Sequence, residues 1–219
     1  MIVLALDTAG VDCAVALYDS DGDRVLAEVG ETIGRGHAER LMEILDRALE
    51  KAGITLAQVG RVAVTVGPGS FTGIRVGVAA ARGFSLSLGI PAVGVTTLEV
   101  LAAAERLRGS GEPILAAIDA KRGEVYLQSF DAAGRAQGEP QGLGIDEART
   151  VAAGFAGVVV GSAAPLLAGE AAAAASPDTF PIAVVARLGA AKAAGARPKP
   201  LYLREVDAKP QAGFAVMRS

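Results

Sequence analysis

The sequence predicts an α/β fold with two lobes, each built around a mixed β-sheet. Short apolar runs that end in turn residues alternate with segments whose apolar residues recur at helical spacing. The element order βββαβα occurs twice along the 219 residues, which are enough for two small lobes. Hydrophobic residues make up 51% of the chain but aromatic residues only 4%, so small aliphatic side chains must form the core.

The first half of the chain alternates strands and helices after an initial group of three strands. Glycines and prolines separate these elements, and a glycine-rich loop, Gly67-Pro68-Gly69-Ser70-Phe71-Thr72-Gly73, precedes the second helix. The predicted strands are Ile2–Leu6, Cys13–Tyr18, Arg24–Val29, Arg61–Val66 and Pro91–Val95. The predicted helices are His37–Ala52, Ile74–Leu88 and one from Thr97 to about Leu107.

The second half repeats the same order without visible residue-level repetition. The predicted strands are Ile114–Ile118, Glu124–Phe130, Arg135–Gln141 and Gly157–Val160, and the predicted helices are Asp146–Ala153, Pro165–Ala175 and Pro181–Ala194. We expect a first lobe at 1–98, a second lobe at 99–200 and a basic C-terminal tail at 201–219. This is the two-lobed architecture of the actin-like and Hsp70-like (ASKHA) fold, in which a ligand cleft lies between the lobes.

Charge and composition exclude several classes of protein. The 21 basic and 24 acidic residues give a formal charge of −3, which argues against a non-specific nucleic-acid or lipid-surface binder. One Cys excludes an internal disulfide, and one His excludes a multi-histidine metal cluster. No apolar run is long enough to span a membrane, and the start lacks a basic signal-peptide region, so we expect a cytoplasmic protein.

Two strand ends carry the residues that a nucleotide site in such a cleft needs. Asp7 and Asp119 each follow an apolar strand, where a carboxylate can hold Mg²⁺ through water. Thr8, Lys121 and Gly161 lie in turns where they can approach phosphate groups or the ligand. The alternative, in which both aspartates accept hydrogen bonds from their own turns, is equally supported because neither turn is rich in glycine.

The glycine-rich loop and His37 both have a structural and a functional interpretation. The loop lacks the Lys of a phosphate-binding loop, so we favour a tight strand-to-helix turn over an anion site. His37 begins the first helix without a second ligand nearby, and Cys13 lies in an apolar strand, so neither is predicted to be catalytic.

The helix Ile74–Leu88 is small or apolar nearly all round and predicts a partner surface. Interior glycines cost about 1 kcal/mol each relative to Ala, so close approach of another backbone should offset them. We therefore expect an exposed docking strip on this helix, supported by the preceding helix. Its predicted residues are Gly73, Ile74, Gly77, Val78, Ala80, Ala81 and Phe84, with Leu41 and Leu45 on the helix His37–Ala52.

Motifs along nearly the whole chain resemble those of the TsaB (YeaZ) family. The resemblance is carried by Leu4-Ala5-Leu6-Asp7-Thr8, by the glycine-rich loop continuing to Gly77, by Asp119 to Tyr126, and by Tyr202-Leu203-Arg204. It implies a role in forming N6-threonylcarbamoyladenosine at position 37 of tRNAs that read codons starting with A. It also implies the actin-like fold.

The resemblance further implies partners and the absence of catalysis in this chain. TsaD is the transferase of that system and TsaE its ATPase, with ATP or ADP expected, if anywhere, at the interface with TsaD. TsaD carries a metal-binding histidine pair where this chain has Thr97 and Leu101, so no metal and no catalytic residue are expected.

Three further expectations follow. Without TsaD, the chain should form a homodimer through the helix Gly73–Leu88. Basic residues could touch tRNA in the full assembly, although solvated charges are the simpler interpretation; these are Lys121, Arg122, Arg197, Lys199, Arg204, Lys209 and Arg218. The alternative function is a stand-alone actin-fold Mg-ATPase or small-molecule kinase that uses Asp7 and Asp119.

Overall fold

The computed structural model describes residues 1–169 and 177–204 of the chain, and within them nine strands form two sheets. The strands are β1 (Ile2–Asp7), β2 (Asp12–Asp19), β3 (Arg24–Thr32), β4 (Val59–Thr65), β5 (Ala92–Val95), β6 (Ile114–Lys121), β7 (Glu124–Phe130), β8 (Ala136–Gly144) and β9 (Val158–Val160). The helices are α1 (His37–Ala52), α2 (Phe71–Leu88), α3 (Thr97–Leu107), α4 (Ile145–Ala153), α5 (Ala164–Leu167) and α6 (Ile182–Ala191).

The first sheet has five strands in the order β3-β2-β1-β4-β5. β1, β2 and β3 pair antiparallel, and β4 and β5 continue the sheet in parallel with β1. Residues 3–6 of β1 are fully buried because both faces of this sheet are covered by helices. The predicted mixed sheet of the first lobe is confirmed.

The second sheet repeats this plan with four strands in the order β8-β7-β6-β9. β6, β7 and β8 pair antiparallel, and β9 pairs in parallel with β6. Leu115 and Ala117 of β6 belong to a small cluster with Ala148 of α4, whereas Ile114 and Ala116 belong to the main core. The alternation of side chains along β6 thus joins two hydrophobic clusters.

Helices α2 and α6 cover opposite faces of the first sheet. A Cβ atom added to Gly77 of α2 would lie 3.3 Å from Val64, and one added to Gly189 of α6 would lie 2.2 Å from Ala63. Neighbouring residues of a strand point to opposite faces, so these contacts assign the two helices to different sides. Helix α1 contacts α2 and therefore shares its side.

Helix α6 therefore returns to the sheet of the first half, although it belongs to the range 99–200 predicted as the second lobe. Arg61 of β4 fixes its end, because Nη1 donates hydrogen bonds to the carbonyl oxygens of Gly189, Ala190 and Lys192 at 3.0, 2.9 and 2.6 Å. These are the carbonyl groups that a helix C-terminus leaves without partners. The residue boundary between the lobes remains a prediction.

Two predicted helices differ from the structure. The prediction Pro165–Ala175 corresponds to α5, and residues 170–175 lie outside the described residues. The prediction Pro181–Ala194 ends at Ala191, because Lys192 is extended and its Nζ is held by Glu99 at 2.7 Å and by the Gly94 carbonyl at 3.0 Å.

Residues 198–204, which we call the strap, cross from α2 to the second sheet. The Leu201 amide donates to the Val66 carbonyl at 2.8 Å, and Arg82 Nε donates to the Pro198 carbonyl at 2.8 Å. At the other end Arg204 Nε donates to Glu124 at 2.6 Å. Residues 205–219 of the predicted basic tail, with Lys209 and Arg218, lie outside the described residues.

Candidate functional site

The glycine-rich loop lies directly against the turn that follows β1. The Ser70 amide donates to the Ala9 carbonyl at 2.8 Å, and Thr8 Oγ1 donates to the Gly73 carbonyl at 2.7 Å. A Cβ atom at Gly69 would be 2.4 Å from the Ala9 carbonyl oxygen. This close approach of two backbones explains the glycine and supports the favoured interpretation as a tight strand-to-helix turn capped by Ser70 Oγ.

The prediction that Gly73 and Gly77 lie on an exposed strip is wrong. A Cβ at Gly73 would be 1.9 Å from the Thr8 carbonyl oxygen, and one at Gly77 would be 2.5 Å from Thr8 Oγ1. The backbone that offsets their helix cost is the chain's own. Seven of the nine predicted docking residues are buried, namely Gly73, Ile74, Gly77, Val78, Ala81, Leu41 and Leu45, while Ala80 and Phe84 are half-buried.

The opposite side of α2 is the surface that remains accessible. Leu86 is 77% exposed, and a Cβ at Gly83 would have no heavy atom of the surrounding described residues within 4 Å. We call this the outer face of α2; it comprises Thr72, Val76, Ala79, Ala80, Gly83, Leu86 and Ser87. The exposed residues of the helix therefore lie on the side away from the glycines Gly73 and Gly77.

Asp7 is closed off from the surroundings. Its Oδ1 accepts hydrogen bonds from Thr65 Oγ1 at 2.6 Å and from the Ala9 amide at 3.0 Å, while Oδ2 is buried and has no partner among the described residues. Burial raises the pKa of Asp7 to about 6, against the lowering effect of the Thr65 hydrogen bond. Asp7 and Thr8 are both 0% exposed, so the predicted contacts with Mg²⁺ and phosphate cannot form in this conformation.

The second predicted turn is open and basic. Asp119 Oδ2 pairs with Lys121 Nζ at 2.6 Å, and Oδ1 accepts from the Lys121 amide at 2.8 Å. Lys121 and Arg122 have φ values of 62° and 58°, followed by Gly123 at 78°. Asp119 therefore stabilises its own turn, as the structural alternative predicted, while Lys121 and Arg122 are exposed.

The predicted Gly161 turn brings a serine and an aspartate together. Gly161 has a φ of 102°, and a Cβ there would be 2.3 Å from the Ala117 carbonyl oxygen. Next to it, the Ser162 amide donates to Asp178 Oδ1 at 2.8 Å, its hydroxyl donates to Oδ2, and that hydroxyl also accepts from the Asp119 amide at 2.9 Å. Burial raises the pKa of Asp178. Ser162 is therefore saturated with protein partners.

A cavity of about 950 Å³ lies between these turns and the strap. Of the predicted nucleotide residues, Asp119 and Lys121 line it, whereas Asp7, Thr8 and Gly161 do not. The residues present do not fit a magnesium nucleotide bound as the sequence predicted. Four aromatic residues also line the cavity and were not predicted as site residues: Phe71, Tyr126, Phe180 and Tyr202. The only signal for them in the sequence is that aromatic residues are rare in this chain.

Thr97 and Leu101, which the sequence places where a metal-binding histidine pair would be, both make structural contacts. Thr97 is buried, and its hydroxyl donates to the Pro68 carbonyl at 2.6 Å; Leu101 packs against Gly161. Within residues 1–169 and 177–204 no group of three or more His, Cys, Asp or Glu could hold a metal ion. Cys13 is buried, and burial raises the pKa of its thiol to about 11, as suits a core residue.

Comparison with known proteins identifies relatives of the whole fold. A family model described as TsaD, tRNA N6-adenosine threonylcarbamoyltransferase, matches residues 27–180. A Pseudomonas aeruginosa structure, described as an uncharacterized protein with similarity to peptidase YeaZ, matches with 30% identity and a TM-score of 0.77, covering 93% of this chain and 99% of that one. The chain belongs to the TsaB (YeaZ) family. The predicted two-lobed actin-like fold is confirmed by the two sheets and these matches.

Relatives named TsaB match over a shorter region. The Escherichia coli tRNA threonylcarbamoyladenosine biosynthesis protein TsaB is 36% identical over 130 residues, which are 59% of this chain and 55% of that protein. The Bacillus subtilis protein of the same name is 36% identical over 127 residues, or 58% and 53%. The chain thus spans about half the length of these curated TsaB relatives in the match. None of the described helices is long and apolar enough to cross a membrane.

Proposed function

We propose that the chain is a non-catalytic subunit in the formation of N6-threonylcarbamoyladenosine in tRNA. Relatives named tRNA threonylcarbamoyladenosine biosynthesis protein TsaB, at 36–38% identity, support a role in this modification. The predicted specificity for position 37 of tRNAs that read codons starting with A belongs to the same proposal. The chain contributes binding rather than chemistry, because Thr97 and Leu101 have no metal-ligating side chains and Asp7 is enclosed.

The observation that carries this proposal is the outer face of α2. The inner face of α2 packs against its own sheet, while the opposite face is apolar and exposed. Exposed apolar patches of this kind mark protein interaction sites, so this face can pack against a helix of a partner. We propose that a TsaD-type transferase binds there, with α1 alongside. A TsaE-type ATPase and tRNA would join through that complex. ATP or ADP is expected only at the interface with the transferase, because Asp7 and Thr8 are closed off in the chain itself.

Co-purification with a tagged TsaD-type transferase tests the docking surface. Gly83→Arg places a long cation on the outer face without a clash, so we expect the fold to persist and binding to weaken more than about tenfold, because the guanidinium loses water without gaining a partner. Gly111→Arg is the matched control, since a Cβ at Gly111 also has nothing within 4 Å. Equal binding of both variants would disprove docking at this face.

Gly77→Arg, the substitution suggested by the spacing of the glycines alone, cannot serve as a docking test. A Cβ there would already be 2.5 Å from Thr8 Oγ1, so that variant should lose its fold. In a reconstituted reaction with transferase, ATPase and tRNA, omission of the chain should abolish modification. Modification at an unchanged rate without it would contradict the subunit role. We do not propose a stand-alone ATPase, because Asp7 has no access to solvent.

A further inference from the structure

The cavity between the two sheets concentrates the aromatic side chains of the molecule. The sequence has six Phe and three Tyr, and four of these nine line the cavity. Phe71 and Tyr202 stand at its mouth, 45% and 40% exposed, with ring centroids 5.2 Å apart. In a chain with so few aromatic residues, exposed rings at a cavity mouth provide stacking surface for a planar ligand.

Arg75 is held in place by the same rings. Its guanidinium carbon is 3.7 Å from the centre of the Phe71 ring, and its Nε donates to the Tyr202 hydroxyl at 2.8 Å. Its terminal nitrogens have no hydrogen-bond partner among the described residues. A guanidinium oriented on aromatic rings presents two parallel N–H groups, which match the geometry of a phosphate group.

Lys121 and Arg122 bring positive charge from the other sheet, in a strained backbone. Among the described residues, only they and Asp23 are non-glycine residues with positive φ. That conformation costs about 1–2 kcal/mol per residue, and a hairpin turn of this kind prefers Asn or Gly. Strained backbone of this kind clusters at functional sites, so two adjacent cations in this conformation support a functional role for the turn.

The carboxylates around the cavity are each engaged elsewhere. Asp119 pairs with Lys121, Glu124 with Arg204, and Asp178 accepts both hydrogen bonds from Ser162. Each of these carboxylates already accepts a hydrogen bond from a donor group of the protein, which partly neutralises its charge. Asp7 is enclosed and cannot hold magnesium in this cavity, so the proposal is built on stacking and direct phosphate contacts.

We propose that the cavity receives unpaired nucleotides of a single-stranded RNA. Bases stack on Phe71 and Tyr202 at the mouth, and phosphates meet the Arg75 guanidinium. Lys121 and Arg122 contact the backbone of the strand from the second sheet. The choice of RNA rests on the function proposed above, whereas the stacking and phosphate contacts rest on the cavity and on Arg75, which contacts two of its lining residues.

Fluorescence anisotropy with the full chain and a labelled unstructured RNA tests the proposed RNA binding. An RNA of about eight nucleotides is suitable, because this length lies within the range of known single-strand-binding sites. Unlabelled RNA of the same sequence should compete, while a duplex of the same length, AMP and inorganic phosphate should compete at least about tenfold less well, because each lacks unpaired stacked bases or neighbouring phosphates. AMP competing as well as the strand would overturn the proposal in favour of a mononucleotide site.

Arg122→Gly separates binding from folding. The variant relieves the positive φ, and its thermal midpoint and far-UV circular dichroism show whether it is folded. RNA affinity should fall, and the slope of log K against log salt should become shallower by about 0.7, which corresponds to one phosphate contact of a single strand. Arg108→Gly is the matched control, because it removes the same charge from a residue that is 72% exposed and is not part of the cavity lining. Equal behaviour of the two variants would overturn the proposal.

Loss of stacking gives a second, independent readout. Tyr202→Ala should weaken RNA binding about 5- to 100-fold, whereas Tyr202→Phe keeps the ring and most of the affinity. Unchanged affinity in Tyr202→Ala would contradict stacking at the mouth. Because Arg122→Gly leaves the outer face of α2 intact, it should still co-purify with the transferase; a failure of RNA binding is thereby distinguished from a failure of the subunit role, which Gly83→Arg tests.

Discussion

The carboxyl group of Asp7 lies in the core, where one of its oxygens has no hydrogen-bond partner in the part of the chain that the structure describes. Burial raises its pKa from the ordinary value of 3.8 to about 6. The folded chain therefore binds more protons than the unfolded chain between these two values, so this group makes the protein less stable as the pH rises through about 6. Its contribution to stability is complete below the unfolded pKa of 3.8.

Replacement of Asp7 by Asn should remove this pH dependence. Asn keeps an oxygen for Thr65 and Ala9 but carries no charge, so at pH 8 the free energy of unfolding should rise, by up to roughly 3 kcal/mol from the size of the pKa shift. At pH 3.5 the two proteins should differ little. Urea unfolding from pH 3.5 to 8 measures this, and parallel curves for both proteins would contradict the assignment.

Two glycines of α2 should respond to Ala with opposite signs. Gly77→Ala should destabilise the protein, because its Cβ would be 2.5 Å from Thr8 Oγ1, despite the better helix propensity of Ala. Gly83→Ala has open space and should stabilise by about 1 kcal/mol. Thermal unfolding of both variants measures the difference. Stabilisation in both would contradict the close contact between Gly77 and Thr8.

Sequence reasoning identified the glycines of α2 but assigned them to the wrong side. Glycine spacing reveals a flat stripe without showing which backbone approaches it. Arg75 and Arg82, seven positions apart, mark the side of the helix that contacts the strap. The inner role of Gly73 and Gly77 depends on the turn after β1, which is remote in sequence and could not be predicted from the local pattern.

At the scale of elements, Arg61 joins strand β4 to the end of helix α6. Its hydrogen bonds to three carbonyl oxygens replace the partners that the helix terminus lacks. Arg61→Met keeps the aliphatic stem but should lower the free energy of unfolding by about 2–3 kcal/mol, the contribution of hydrogen bonds to a charged group.

Arg187→Met provides the control for this substitution. Arg187 Nε pairs with Asp23 at 3.1 Å on the surface, and exposed ion pairs contribute less than about 1 kcal/mol. Chemical denaturation of the two variants should therefore separate them clearly. A similar small loss in both would show that the end of α6 is held without Arg61.

Most elements were predictable because their patterns are local. Short apolar runs that end in turn residues predicted β1–β7, and helical spacing of apolar residues predicted α1–α4, within a few residues. Ser70 and Thr96 cap the helices they precede. The short 3₁₀ helix Leu56–Gln58 was missed, although Thr55 and Gln58 form a capping box that could have revealed it. The docking of α6 on the first sheet has no local signal, since its apolar face suits either sheet.

For the whole molecule, the outer face of α2 predicts self-association when no transferase is present. The chain alone should sediment as a homodimer at micromolar concentration, because two copies can cover each other's apolar face about a two-fold axis. Gly83→Arg should sediment as a monomer and Gly111→Arg as a dimer. A wild-type mass equal to one chain at all concentrations would contradict this prediction.

The two-lobed arrangement was predictable from element order, but the cavity was not. Its walls come from the turns after β1 and β6, the residues around Asp178, and the strap, which are brought together only by the packing of both sheets. Asp119 and Lys121 were found because strand ends meet at one edge of a sheet. Tyr202 was quoted only as part of a motif, since nothing in its neighbourhood indicates that the strap returns to Arg75.

The return of α6 to the first sheet sets the order in which the nascent chain can mature. All five strands of that sheet leave the ribosome before residue 182, yet one face of the sheet has no cover until α6 follows. Until then Ala63 and Val93 face water or a chaperone, because the helix that Gly189 brings against them has not been translated. Both lobes should therefore acquire their final packing together, late in synthesis, rather than one after the other.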